Sequence, residues 1–123
     1  MKPTIKVKRI YDQAEQEDGH RILVDRLWPR GVSKERAAII SWEKELAPTP
    51  ELRAWFGHKP ELWPEFQKRY KEELKKNAFI DTFVKKHKNY KIITLLYAGK
   101  DESHSHVLLL QKYLEDLFKK ALT

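Results

Sequence analysis

Two polar stretches of this 123-residue chain hold residue types that can do chemistry. The first, Asp25-Arg26-Leu27-Trp28-Pro29-Arg30-Gly31, follows directly on the apolar run Ile22-Leu23-Val24. Arg26 and Arg30 each offer a planar fork of donors suited to phosphate or carboxylate, and arginine is preferred to lysine where an anion must be held in a fixed orientation. The alternative is that one of them pairs with Asp25 or another carboxylate and only braces the loop. Trp28, between the two arginines, can wall a pocket, and Asp25 can supply acid–base chemistry. The second stretch runs from Tyr97 to His106 and contains Lys100, Asp101, His104 and His106. Imidazole titrates near neutral pH, so these histidines could move protons or hold a metal, but their spacing matches no firm zinc signature. Lys100, Asp101 and His104 join Asp25 as acid–base candidates, while Tyr97, His106 and His58 are candidates for ligand contact. A structural reading stands beside these roles, because Asp101, Ser103 and Ser105 all suit the capping of a following helix.

The elements that must position these residues can be read from periodicity. Ile5, Val7 and Ile10 nearly alternate with charged residues, which predicts an outer strand. The polar segment Tyr11–His20 reads as a mobile loop, and Arg21–Val24 as a second strand. Ser33 suits the N-cap of a short helix from Lys34, with a strand at Ile40–Glu45 after it. Thr49-Pro50-Glu51 starts a helix that Gly57 ends, and Pro60 starts another that breaks at Asn77. Phe79, Ile80, Phe83 and Val84 form one face of the next helix, which ends near Lys86–Lys88. Tyr90–Ala98 is almost continuously apolar, the pattern of a central strand covered on both faces. A last helix shows Val107, Leu110, Leu114, Leu117 and Ala121 as its inner stripe. Trp42 and Trp63 read as core anchors.

Strands alternating with helices predict a single α/β domain, with a small, mainly parallel sheet covered by helices on both faces. Ligands of such sheets bind beyond the carboxyl ends of the strands. If the strands before the two polar stretches are neighbours, the stretches meet there.

Composition narrows the class. With 41% hydrophobic and 35% charged residues, the chain can bury a core and keep a heavily charged surface, which excludes general disorder. It has no cysteine, so disulfides, thiolate metal sites and cysteine nucleophiles are excluded, and a reducing cytoplasm is the expected compartment. The N-terminus lacks the apolar core of a signal peptide, and no apolar run approaches the roughly 20 residues of a membrane span. The net charge of +7 favours anionic partners but is spread along the chain without a basic tail or block. Gly31-Val32-Ser33 would place backbone N–H groups at a helix start, which helps an anion, but it lacks the glycine spacing of a P-loop or dinucleotide fingerprint, and the cofactor is left unknown.

Several long motifs resemble a known family. Leu23–Lys34, Lys44-Glu45-Leu46-Ala47-Pro48, Leu52–His58 and Tyr97–His106 together are similar to the YeaO-like branch of the family called domain of unknown function 488. The resemblance covers nearly the whole chain. Gly99 stands where alanine is frequent in that family, and Ser105 where asparagine is frequent. The family's name fixes no reaction, and neither a glycine-rich methyl-donor loop nor a clear helix-turn-helix signal is present.

The first expectation is a domain, enzymatic or not, that takes a small anionic, phosphorylated or nucleotide-like compound at the strand ends. The alternative is a nucleic-acid-binding module that uses the lysines dispersed over the helices from Glu61 to Lys88.

Overall fold

A computed structural model describes residues 2–121. Strands β1 (Thr4–Arg9), β2 (His20–Leu23), β3 (Ser41–Trp42) and β4 (Ile92–Tyr97) form one sheet in the order β1-β4-β2-β3, with every pairing parallel. The apolar β4 lies between β1 and β2, and Ile93, Thr94, Leu95 and Leu96 are all buried. Alternation along the strands then sorts their side chains by face.

Ile22, Val24, Ile93 and Leu95 point into the main core, which is closed by α2 (Pro50–Phe56), α3 (Trp63–Lys76), α4 (Ala78–His87) and α5 (His106–Ala121). Each fully buried Leu or Ile there contributes roughly 1.5–3 kcal/mol. Leu23 and Leu96 face the other way and pack with Ile10, Val32 and Ala37, so the one-turn helix α1 (Lys34–Ala37) and its leading loop cover that face. No helix among the described residues is long and apolar enough to cross a membrane.

The helix ends follow local rules. Ser33 Oγ accepts the Arg36 N–H at 3.1 Å, and Thr49 Oγ1 accepts the Leu52 N–H at 3.2 Å. Gly57 closes α2 at φ 53°, and Asn77 both ends α3 and caps α4 through the Phe79 N–H.

The structure departs from the sequence expectations in several places, among them the helix expected from Pro60, where Pro60–Leu62 form a 3-10 turn and α3 starts only at Trp63. The strand expected at Ile40–Glu45 shortens to Ser41–Trp42, because the chain turns at Lys44–Leu46 to bury Leu46. Trp42 is 36% exposed rather than a core anchor. On α5 the fourth inner position belongs to Phe118, while Leu117 is only partly buried and Ala121 is exposed. The segment Tyr11–His20 is firmly tied down. Asp18, 5% exposed, accepts Arg21 Nη1 at 2.6 Å, Lys8 Nζ at 3.1 Å and the Glu15 N–H at 2.9 Å. Arg21 in turn donates to the Ala37 carbonyl through Nε and Nη2, which fastens α1 to the sheet.

Candidate functional site

Because β2 and β4 are parallel neighbours, the two polar stretches leave the sheet at the same rim. They meet there directly. Asp25 Oδ2 accepts the Ala98 N–H at 2.8 Å, and His106 Nε2 lies 3.0 Å from the Val24 carbonyl oxygen. These two contacts staple the loop after β2 to the segment after β4. Between them and the end of α2 opens a cleft of about 380 Å³, within the usual size of a small-molecule site.

The cleft brings together Asp25, Arg26, Trp28, Arg30, His58, Tyr97, Asp101, His104 and His106. Lys100 is exposed and does not line it, so of the sequence candidates it alone stands off. Arg53, which the sequence reading passes over, joins the lining from α2. The signal for it was present: Leu52 and Phe56, four residues apart, mark the buried face of α2, and Arg53 lies one step round from it.

Three arginines thus border one cleft, and they differ in what already occupies them. Arg26 donates from Nε to the Pro48 carbonyl at 3.2 Å and from Nη2 to the Ala47 carbonyl at 3.1 Å, with Glu45 Oε2 at 3.7 Å from Nη1. It braces the loop, the structural alternative, rather than offering a free fork. Arg30 and Arg53 are exposed, and their guanidinium groups have neither a hydrogen bond nor a carboxylate partner among the described residues. Trp28 is held by its indole N–H, which donates to the Val32 carbonyl at 2.7 Å, and its ring meets Trp42 edge-on. Phe56, Phe66 and Tyr97 supply the buried aromatic part of the wall.

His106 is the first residue of α5, with Ser105 immediately before it as the residue whose Oγ accepts the Val107 N–H. A carbonyl oxygen can only accept, so Nε2 carries the proton given to Val24 and Nδ1 keeps its lone pair. Burial pushes the imidazole below its ordinary pKa, and Arg53 acts in the same direction, against the opposing pull of Asp25 and of the Val24 carbonyl. His106 therefore sits neutral at neutral pH. Burial also raises the Tyr97 phenol, so its hydroxyl stays protonated.

Asp101 behaves as a loop former. Its Oδ1 accepts the N–H groups of Ser103 and His104, and its Oδ2 lies 2.8 Å from His104 Nδ1. The hydrogen bond to His104 is the main reason the carboxyl sits below its ordinary value. His104 also packs edge-on against Trp63, which is partly buried against the core as expected. His58 takes a left-handed backbone, φ 58°, just after Gly57. No group of acidic and histidine side chains among the described residues is arranged to hold a metal.

Fold and cleft together define a single α/β domain with an arginine-bordered pocket at the carboxyl ends of parallel strands. The chain belongs to the family described as the inactive DUF488-N3 subclade, whose model matches residues 4–122. It is 40% identical over 113 residues to the uncharacterized protein YeaO of Escherichia coli K12, covering 92% of this chain and 98% of that protein. It is 36% identical over 110 residues to the uncharacterized proteins Mb3100c of Mycobacterium bovis and Rv3073c of Mycobacterium tuberculosis H37Rv, covering 89% of this chain and 92% of each. No solved structure gives a significant match.

Proposed function

We propose that this protein binds a small anionic compound, phosphorylated or nucleotide-like, in the cleft at the strand ends. One observation carries the reading: Arg30 and Arg53 reach a cleft of molecular size with no acidic partner among the described residues. Guanidinium groups left unpaired beside a partly apolar pocket are suited to an incoming phosphate or carboxylate. The description of the subclade as inactive favours holding over turnover. Asp25 and Asp101, two of the acid–base candidates, already serve as acceptors that shape their loops, which agrees with that preference.

Titration with phenyl phosphate tests the reading. Arg53→Ala and Arg30→Ala are each expected to weaken binding about tenfold, the effect of removing one charge-assisted hydrogen bond. The salt dependence should be shallow, because a compact pocket releases few counterions. No binding by the wild type, or binding that neither substitution changes, overturns the proposal. An oligonucleotide whose affinity falls steeply with salt and ignores Arg53→Ala would instead support the dispersed lysines of α3 and α4 as a nucleic-acid surface.

A further inference from the structure

Two pairs among the polar groups of the cleft have opposite hydrogen-bonding character. Arg30 and Arg53, the donors, are exposed at its border. Asp25 and His106 lie deeper, with side chains 18% and 16% exposed. Asp25 Oδ2 is taken by the Ala98 N–H, but its Oδ1 accepts no hydrogen bond. His106 Nε2 lies 3.5 Å from it, and its proton already points to the Val24 carbonyl. His106 Nδ1 likewise has no partner among the described residues, and neither atom is sealed from solvent. The residues lining the cleft thus include two with acceptors whose lone pairs are open, together with the aromatic Phe56, Phe66 and Tyr97.

Acceptors placed in this way repel a second anionic oxygen and call for an O–H or N–H. We infer that the ligand is bifunctional: an anionic group held by Arg30 and Arg53, joined through a ring or short carbon frame to a hydroxyl or N–H donor that His106 Nδ1 and Asp25 Oδ1 accept. His106 would then be a specificity determinant, rejecting compounds that match the anion but lack the donor. The Val24 carbonyl is the reason it can do so, since that contact fixes the tautomer before anything binds. This inference rests on the anion-binding reading above.

The test compares phenyl phosphate with its ortho-, meta- and para-hydroxy derivatives, which add one donor at graded reach to the same anion and ring. At least one hydroxy derivative is expected to bind the wild type about tenfold more tightly than phenyl phosphate, with an advantage that His106→Phe abolishes. His106→Gln should keep part of it, because its amide N–H can serve Val24 while its carbonyl oxygen accepts. Both variants need a melting curve beside the wild type. The wild type alone gives a second readout: long-range 1H–15N spectra should place His106 Nδ1 as the unprotonated nitrogen and show it shifting with the preferred derivative but not with phenyl phosphate. If all four compounds bind alike and Nδ1 does not shift, the inference fails while the anion reading stands. If none binds, both fall.

Discussion

Removing the Arg26 side chain leaves the Ala47 and Pro48 carbonyls without their donors, because that guanidinium is a brace between two loops. Arg26→Ala is therefore expected to lower stability by about 1–3 kcal/mol in urea melts, whereas Arg53→Ala should leave the melt unchanged. The sequence offered both roles for Arg26 and could not choose, since its acceptors lie about twenty residues away and are backbone atoms. Gly19 makes a sharper case. At φ 64°, a Cβ added there would sit 2.6 Å from the Ile92 carbonyl oxygen and 2.7 Å from the Ile92 Cβ. Gly19→Ala meets both an unfavourable backbone conformation and a clash with the central strand, so a loss of about 2 kcal/mol or more is expected. A melt within error of the wild type would show that the turn relaxes.

Helices α1 and α2 were legible because their starts are signalled by adjacent residues: Ser33 and Thr49-Pro50 cap as their types suggest, while Asn77, read only as a break, also caps α4. Thr49 does more than cap. Its hydroxyl and its N–H both donate to Glu73 on α3, so it links two helices that border the cleft. Thr49→Ala should destabilise by about 1–2 kcal/mol, the usual range for a lost N-cap. The segment before β2 was not legible, and the reason is physical. Its acidic residues look solvated when read along the chain, yet the partners that bury Asp18 come from Lys8 on β1 and from Arg21 on β2. Only the assembled sheet places those charges together. The two-residue β3 was overread for a similar reason: Leu46 has its own place in the core, and reaching it bends the chain out of the sheet.

Over the whole molecule, buried titratable groups set the response to acid. His87 is 1% exposed, stacks on Phe83 and donates from Nδ1 to the Phe83 carbonyl. Burial holds it below the ordinary value of 6.5, with Lys86 and His20 adding to that and the Phe83 carbonyl and Glu43 opposing it. His106 is lowered as well. A histidine depressed in the native state binds its proton more readily when unfolded. Its contribution to stability is thus whole above 6.5 and declines as pH falls below that value. Asp18 follows at lower pH. Burial raises its carboxyl, but the Glu15 N–H, Lys8 and Arg21 together hold it below 3.8, so its contribution is present above that value and lost as pH drops through its native pKa. Urea midpoints should therefore fall in two stages. His87→Phe, which keeps a ring against Phe83, is expected to flatten the upper stage. An unchanged upper stage in that variant would assign it elsewhere.

The strand order also bears on how the chain can assemble as it is made. β1 and β2 do not pair with each other; each pairs with β4, whose first residue is Ile92. Until that segment has left the ribosome, the earlier strands lack their shared neighbour, and Thr4 must wait for a residue almost ninety positions later. Cooperative folding should thus begin only after β4 has emerged, and nascent chains stalled before Ile92 should remain open to proteases throughout.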